Sequence, residues 1–238
     1  MTLEICCFTI NSCILAAKNG ADRIELCANP EEGGTTPSYG TIRTVREIVD
    51  IQVFPIIRSR GGDFFYEAHD LEAMRKDIEW CKNSGCEGVV IGMLKKDGSV
   101  NQEALRRFVD LAYPLEVTFH RAFDRVADPF GAMEIIIDAG CQRILTSGLK
   151  PAVPQGLPLI KDLVSRARDR IIIMPGSGVR SSNLEELIRE SGASEFHSSA
   201  RIVSPSEMTY LNTEMQEDLS VAECSGEEVA RMKAILIK

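Results

Sequence analysis

The stretch Val117-Thr118-Phe119-His120-Arg121-Ala122-Phe123-Asp124 sets apolar strand formers directly before an imidazole, a guanidinium and a carboxylate. A buried strand ending this way carries polar groups to the rim of a core, where each needs a partner or a ligand. At that rim His120 can act as acid, base or ligand near neutral pH. Asp124 either caps the next helix or orients Arg121. A second stretch, Arg58-Ser59-Arg60-Gly61-Gly62-Asp63-Phe64, joins two cations to glycines that let backbone approach a ligand. Such forks suit carboxylate or phosphate, unless both arginines pair with interior acids such as Glu4 or Glu25. A third, Gly176-Ser177-Gly178, exposes backbone N–H groups that suit an anion, the alternative being a tight turn. His197 and Ser198, followed by Ser199 and Arg201, add an imidazole, hydroxyls and a cation.

The elements that must position these groups recur. Asn19-Gly20-Ala21-Asp22-Arg23-Ile24-Glu25, Ser84-Gly85-Cys86-Glu87-Gly88-Val89-Val90, Ala139-Gly140-Cys141-Gln142-Arg143-Ile144-Leu145 and Ser191-Gly192-Ala193-Ser194-Glu195-Phe196-His197 each follow a helical pattern and lead into a short apolar run. Glycine suits the left-handed residue that ends a helix. Further strand-like runs at 3–8, 53–58, 115–119 and 171–174 lie between them, giving eight strands alternating with helices. That count predicts a single α/β domain over residues 1–238, a (β/α)8 TIM barrel with parallel strands. Helical periodicity covers 12–18, 39–49, 70–82, 102–111, 129–138, 158–168 and 182–190. A last helix at 227–237 is introduced by Ser225 and Glu228 in capping-box spacing. The polar segment 203–224 before it reads as a long loop at the barrel mouth.

Strand alternation turns these positions into a geometry, because barrel side chains point alternately inward and toward the helices. Five residues after each recurrent glycine stand Glu25, Val90, Leu145 and His197, which share one interior phase. Glu25 and His197 then occupy one layer with the first strand between them, either as a functional pair or as a buried structural ion pair. Two steps further up, Cys27 and Ser147 reach the mouth, where active sites of this fold lie. On the first strand Glu4 and Cys6 turn inward, bringing Cys6 close to Cys27. Two such sulfurs suit Cu(I); the alternative is two inert buried thiols.

Composition narrows the classes. With 238 residues and 44% hydrophobic content the chain can bury a sizeable core. A net charge of −8, from 35 acidic and 27 basic residues with the signs interleaved, argues against a nucleic-acid partner. The apolar runs are too short for a membrane span and the first residues lack a signal-peptide pattern, so a cytoplasmic protein is expected. Eight cysteines without a CxxC pair then read as reduced thiols.

The motifs GADRIELC, EGGTTPSYG, RGGDF, VTFHRAFD, LTSG, MPGSGV and EFHSSAR, in this order between Leu3 and Arg201, closely resemble the CutC family of copper homeostasis proteins. The resemblance implies a TIM barrel, a cytoplasmic setting, a role in copper handling and Cu(I) binding by Cys6 and Cys27. Ser59 departs from the family's usual Pro in PRGGDF. The residues themselves also fit an isomerase or lyase acting on a small anionic or phosphorylated substrate. There Glu25, His120, Asp124 and His197 would move protons, and Arg58, Arg60, Arg121, Ser147, Gly176, Ser177, Gly178 and Ser198 would hold the substrate. No nucleotide cofactor is signalled, a homo-oligomer is expected, and whether the chain catalyses a reaction stays open.

Overall fold

The computed structural model describes residues 1–212 and 214–237; Thr213, inside the expected loop, and Lys238, at the end of the expected domain, lie outside them. The chain runs β1 (Thr2–Cys7), α1 (Ile10–Lys18), β2 (Arg23–Leu26), α2 (Tyr39–Ile48), β3 (Gln52–Pro55), α3 (Ala68–Asn83), β4 (Gly88–Ile91) and α4 (Gln102–Ala112). It continues through β5 (Glu116–Phe119), α5 (Pro129–Asp138), β6 (Arg143–Thr146), α6 (Val153–Ala167), β7 (Ile172–Pro175), α7 (Ser181–Ser191) and β8 (Glu195–Ser198). An antiparallel pair, β9 (Arg201–Ser204) and β10 (Val221–Cys224), precedes α8 (Gly226–Leu236).

Parallel hydrogen-bonded neighbours run β3-β2-β1-β8 and β4-β5-β6-β7. A bridge between Ile56 and Val90 joins β3 to β4. At the other seam β7 lies beside β8, where a Cβ on Gly176 would stand 3.3 Å from the His197 ring. The strands therefore follow chain order around a closed wall, which is the (β/α)8 barrel that the recurrences predict. All four recurrent glycines take positive φ, from 71° at Gly192 to 97° at Gly20, so each turns the chain from helix into strand.

Two apolar regions result from the alternation. Leu3, Ile5, Ile24, Leu26, Val89, Ile91, Ile144 and Phe196 face outward into the layer between strands and helices. Cys6, Cys27, Phe54, Ile56 and Val90 form a separate cluster inside the barrel. Below that cluster the barrel is closed by charge. Arg23 pairs with Glu4 and Glu195, and Arg143 pairs with Glu195 at 3.1 Å and Glu116 at 2.8 Å. Both guanidinium groups also lie over the Phe54 ring, at 5.0 and 5.3 Å.

Three local features differ from the periodicity. Helix α6 begins at Val153, five residues before the expected Pro158. Pro154 fits the first turn, where no N–H is needed, whereas Pro158 gives up one bond to a carbonyl four residues back. Ser225 caps α8, but the Glu228 carboxylate does not complete the capping box. It accepts from the Ser181 N–H and hydroxyl at the start of α7, at 2.8 and 2.9 Å. Finally, segment 203–224 leaves and returns through the β9–β10 pair, closed at its base where the Ser225 N–H donates to the Ala200 carbonyl.

Candidate functional site

At the C-terminal ends of the strands a cavity of ≈ 270 Å³ opens between two unlike walls. The first is built by β1, β2 and β8. Pairing sets Cys6 opposite Glu25, and the Cys6 and Cys27 sulfurs share a hydrogen bond at 3.6 Å, well beyond disulfide length. His197 donates through Nδ1 to Glu4 at 2.7 Å and holds Nε2 3.7 Å from the Glu25 carboxyl. Ligand atoms of Cys6, Glu25 and Cys27 all lie within 4.8 Å of one another.

These contacts decide the charges. The bond from Cys27 outweighs burial and, with His197, brings the Cys6 thiol down to about 5. Burial and the neighbouring Cys6 charge push Cys27 and Glu25 well above their ordinary values. Burial works against a charged His197, but its hydrogen bonds to Cys6 and Glu4, with the charge of the ionised Glu4, overrule it and hold the imidazolium. Glu4, although buried, is brought to about 2 by Arg23 and His197. At neutral pH this wall carries a thiolate, an imidazolium, a neutral thiol and a neutral carboxylic acid.

The second wall comes from the ends of β3 and β5. His120 is buried; its Nδ1 accepts from the Ala122 N–H at 3.1 Å, while Nε2 is buried without a partner. Its ring fills the space left by the missing side chain of Gly92 and lies 5.0 Å from Phe64. Burial, with the charge of Arg58, lowers its pKa to about 3, so the ring is neutral with its proton on Nε2. Arg121 donates through Nε to Asp124 at 2.7 Å and through Nη2 to the Ser147 hydroxyl at 3.0 Å. Asp124 also accepts from Thr146, from the Ser147 N–H and hydroxyl, and from the Leu149 N–H. It therefore orients Arg121, while Asp128 caps α5.

The structure does not bring every candidate to the cavity. Arg58 lines it, yet its Nη atoms donate to the Glu32, Gly34 and Gly62 carbonyls at 2.6–2.8 Å, clamping the loops after β2 and β3. The interior acids have other partners: Glu4 pairs with Arg23, and Glu25 faces Cys6 and His197. Arg60 points away to Asp63 and Asp70 and lines neither cavity of the mouth. Ser177 and Gly178 line the inner cavity, with the Ser177 hydroxyl donating to the Pro151 carbonyl. Gly176 is needed for packing, since a Cβ there would overlap Leu145. Ser198 turns to the helix side, donating to the Val179 carbonyl, and Ser199 lines the cavity in its place. Ser147 serves Arg121, and Cys27 stands behind Cys6.

Arg201, the cation noted beyond His197, also lines the cavity, whereas sequence reasoning passed over Phe64 as a lining residue and the charged floor of Arg23, Arg143, Glu116 and Glu195. The floor had a signal. Three residues after three of the recurrent glycines stand Arg23, Arg143 and Glu195, in the same inward phase as Glu25 and His197.

A family model described as the CutC family matches residues 1–202. A family protein CutC from Salmonella heidelberg (strain SL476) is 46% identical over 243 residues, covering 99% of this chain and 97% of the relative. One from Parabacteroides distasonis is 48% identical over 230 residues, covering 95% and 94%. Among solved structures, a CutC from Streptococcus agalactiae, named for copper homeostasis, superposes with a TM-score of 0.80 at 30% identity over 84% of this chain and 98% of that one. N-(5'-phosphoribosyl)anthranilate isomerase from Pyrococcus furiosus, with a TM-score of 0.60 at 15% identity over 100% of this chain and 98% of that one, shares the fold alone. Among the described residues no helix is long and apolar enough to cross a membrane.

Proposed function

The chain belongs to the CutC family, and from that premise we propose that it serves copper homeostasis by holding Cu(I) between Cys6 and Cys27. The observation that carries this reading is the pair of sulfurs 3.6 Å apart at the cavity wall, with the Cys6 thiol lowered to about 5. Thiolates are the ligands of a soft monovalent ion. The third nearby donor, Glu25, is kept neutral by burial and the Cys6 charge, which makes it a poor ligand for a hard cation. A structural Zn²⁺ site asks for four tetrahedral donors, and the cluster offers three. His197 holds the negative charge on Cys6 until the metal takes it over. Reduced thiols at such a site suit a cytoplasmic setting, and a homo-oligomer fits a barrel that carries an additional exposed ribbon.

Anaerobic titration with Cu(I) in competition with a chromogenic chelator tests the reading. Wild type is expected to take up one tight Cu(I), and the Cys6→Ser, Cys27→Ser double variant none. Equal uptake by both proteins removes the idea.

A second reading is favoured by the charge states. A thiolate, an imidazolium and a neutral carboxylic acid on one wall, facing a neutral imidazole and Arg121 on the other, form an acid–base set around a space for a small molecule. Isomerase or lyase chemistry on an anionic substrate needs nothing further. Turnover of an anionic substrate by the copper-free protein, lost on removal of His197 or Glu25, would favour it over copper.

A further inference from the structure

Outside the inner cavity a wider groove of ≈ 980 Å³ runs over the loops after β2, β3, β4, β5 and β6, and the two share Gly33, Arg58, Phe64 and Arg121. Its charge is opposite to that of the chain. Lys95, Lys96, Arg121, Arg125 and Lys150 line it along with Arg58, against the carboxylates of Glu32, Asp63 and Asp124. Two of those carboxylates are engaged already, Asp63 by Arg60 and Asp124 by Arg121. Among the described residues Lys95, Lys96, Arg125 and Lys150 make no ion pair, and all four are exposed. On a chain with a net charge of −8, a groove left with surplus cations concentrates anions.

The inner end has its own unmet donors. The Nε2–H of His120 is buried and unpartnered in a ring that lines the inner cavity. A buried donor without an acceptor destabilises the fold, and a ligand acceptor would recover that loss. At the neck Arg121 is held through Nε and Nη2, so its Nη1 remains for a ligand. Its position is rigid, because Asp124, which orients it, is itself held by Thr146, Ser147 and Leu149.

We propose that the two cavities form one site for an elongated organic phosphate, with a carbonyl or carboxylate head at His120 and Arg121 and the phosphate among Lys95, Arg125 and Lys150. A phosphate carries nearly two charges and three strong acceptors, which matches several converging cations better than a carboxylate does. The phosphate end thus lies on the β4–β6 side of the mouth, away from the Ser177 loop. This site does not depend on copper binding at Cys6 and Cys27.

The test is a titration of the ¹⁵N-labelled full chain at constant ionic strength, following backbone amide shifts. Inorganic phosphate is expected to give saturable shifts at Gly98, Arg125 and Lys150. 3-Phosphoglycerate, with a carboxylate head, is expected to bind at least about tenfold tighter than phosphate and to shift His120 as well, and glycerate to bind more weakly than either. The Lys95→Ala, Lys150→Ala double variant changes only exposed side chains and should lose the phosphate response by about tenfold or more. It should keep its fold and the Cu(I) uptake of wild type. No saturable phosphate shift in wild type, shifts that the double variant retains, or equal affinity for phosphate and 3-phosphoglycerate would each overturn the proposal. Loss of Cu(I) uptake by the cysteine variant, or its absence in wild type, bears on the copper reading alone.

Discussion

His197 and His120 face the same cavity from opposite walls and carry opposite charge states. Both are buried, so burial alone would leave both neutral. His197 has two carboxyl groups and a thiolate around it and keeps its proton; His120 has Arg58 nearby, an N–H on its Nδ1 and no acid, and gives its proton up. The comparison teaches that in this barrel the function of a polar residue is set by its neighbours on adjacent strands more than by its own type. One wall holds negative charge on sulfur, and the other leaves the Nε2–H of His120 without an acceptor.

The contrast can be broken at its base. Arg23 lies between Glu4 and Glu195 below the His197 wall, so Arg23→Met removes the guanidinium that both buried carboxylates share, leaving Glu4 to His197 and Glu195 to Arg143, and is expected to cost about 3–5 kcal/mol, read by urea unfolding. A loss below about 1 kcal/mol would mean that the floor network contributes little. On the other wall, Asp124→Asn weakens a carboxylate that accepts from four residues and should cost about 1–3 kcal/mol by the same measurement. It should also weaken binding of any anion that needs Arg121.

The histidines themselves predict opposite pH slopes. His120 titrates near 3 in the folded chain and near about 6.5 when unfolded, so the unfolded state takes its proton first. Its contribution to stability is therefore lost as pH falls from about 6.5 toward about 3. For His197, held above the ordinary value, the stabilisation is present below about 6.5 and is lost as pH rises through the folded value. Unfolding measured across pH should show one slope vanish in His120→Asn and the other in His197→Asn, and NMR titration of the two rings should show the same order. Two rings titrating together near their ordinary value would erase the comparison. The smallest effect is expected at Arg60→Ala, where an exposed pair with Asp63 is lost. A change under about 1 kcal/mol, with Cu(I) and phosphate binding unaltered, separates Arg60 from its neighbour Arg58.

Much of this was legible in the residues. The recurrent glycines and the spacing between them announced eight strand–helix units, and strand alternation placed Glu25, His197, Cys6 and Cys27 inward. What could not be read was which arginine meets which acid. Arg58 and Arg60 stand two apart in one loop, yet one clamps three carbonyls beneath the mouth and the other faces α3. Ser198 and Ser199 exchange places for the same reason, because a single step along a strand decides which side of the wall a hydroxyl faces. The cationic groove is not legible in the sequence, because Lys95, Lys96, Arg125 and Lys150 come from three separate loops.

By itself the sequence determined the barrel, the inward phase and the family, because helix stops, two-residue alternation and local motifs act over short stretches of chain. Only the tertiary structure decided the charge of each histidine, the 3.6 Å approach of the two sulfurs and the surplus of cations outside them. Those depend on distances between strands and loops far apart in the chain, and electrostatic interaction follows distance in space and exposure to water, not position in sequence.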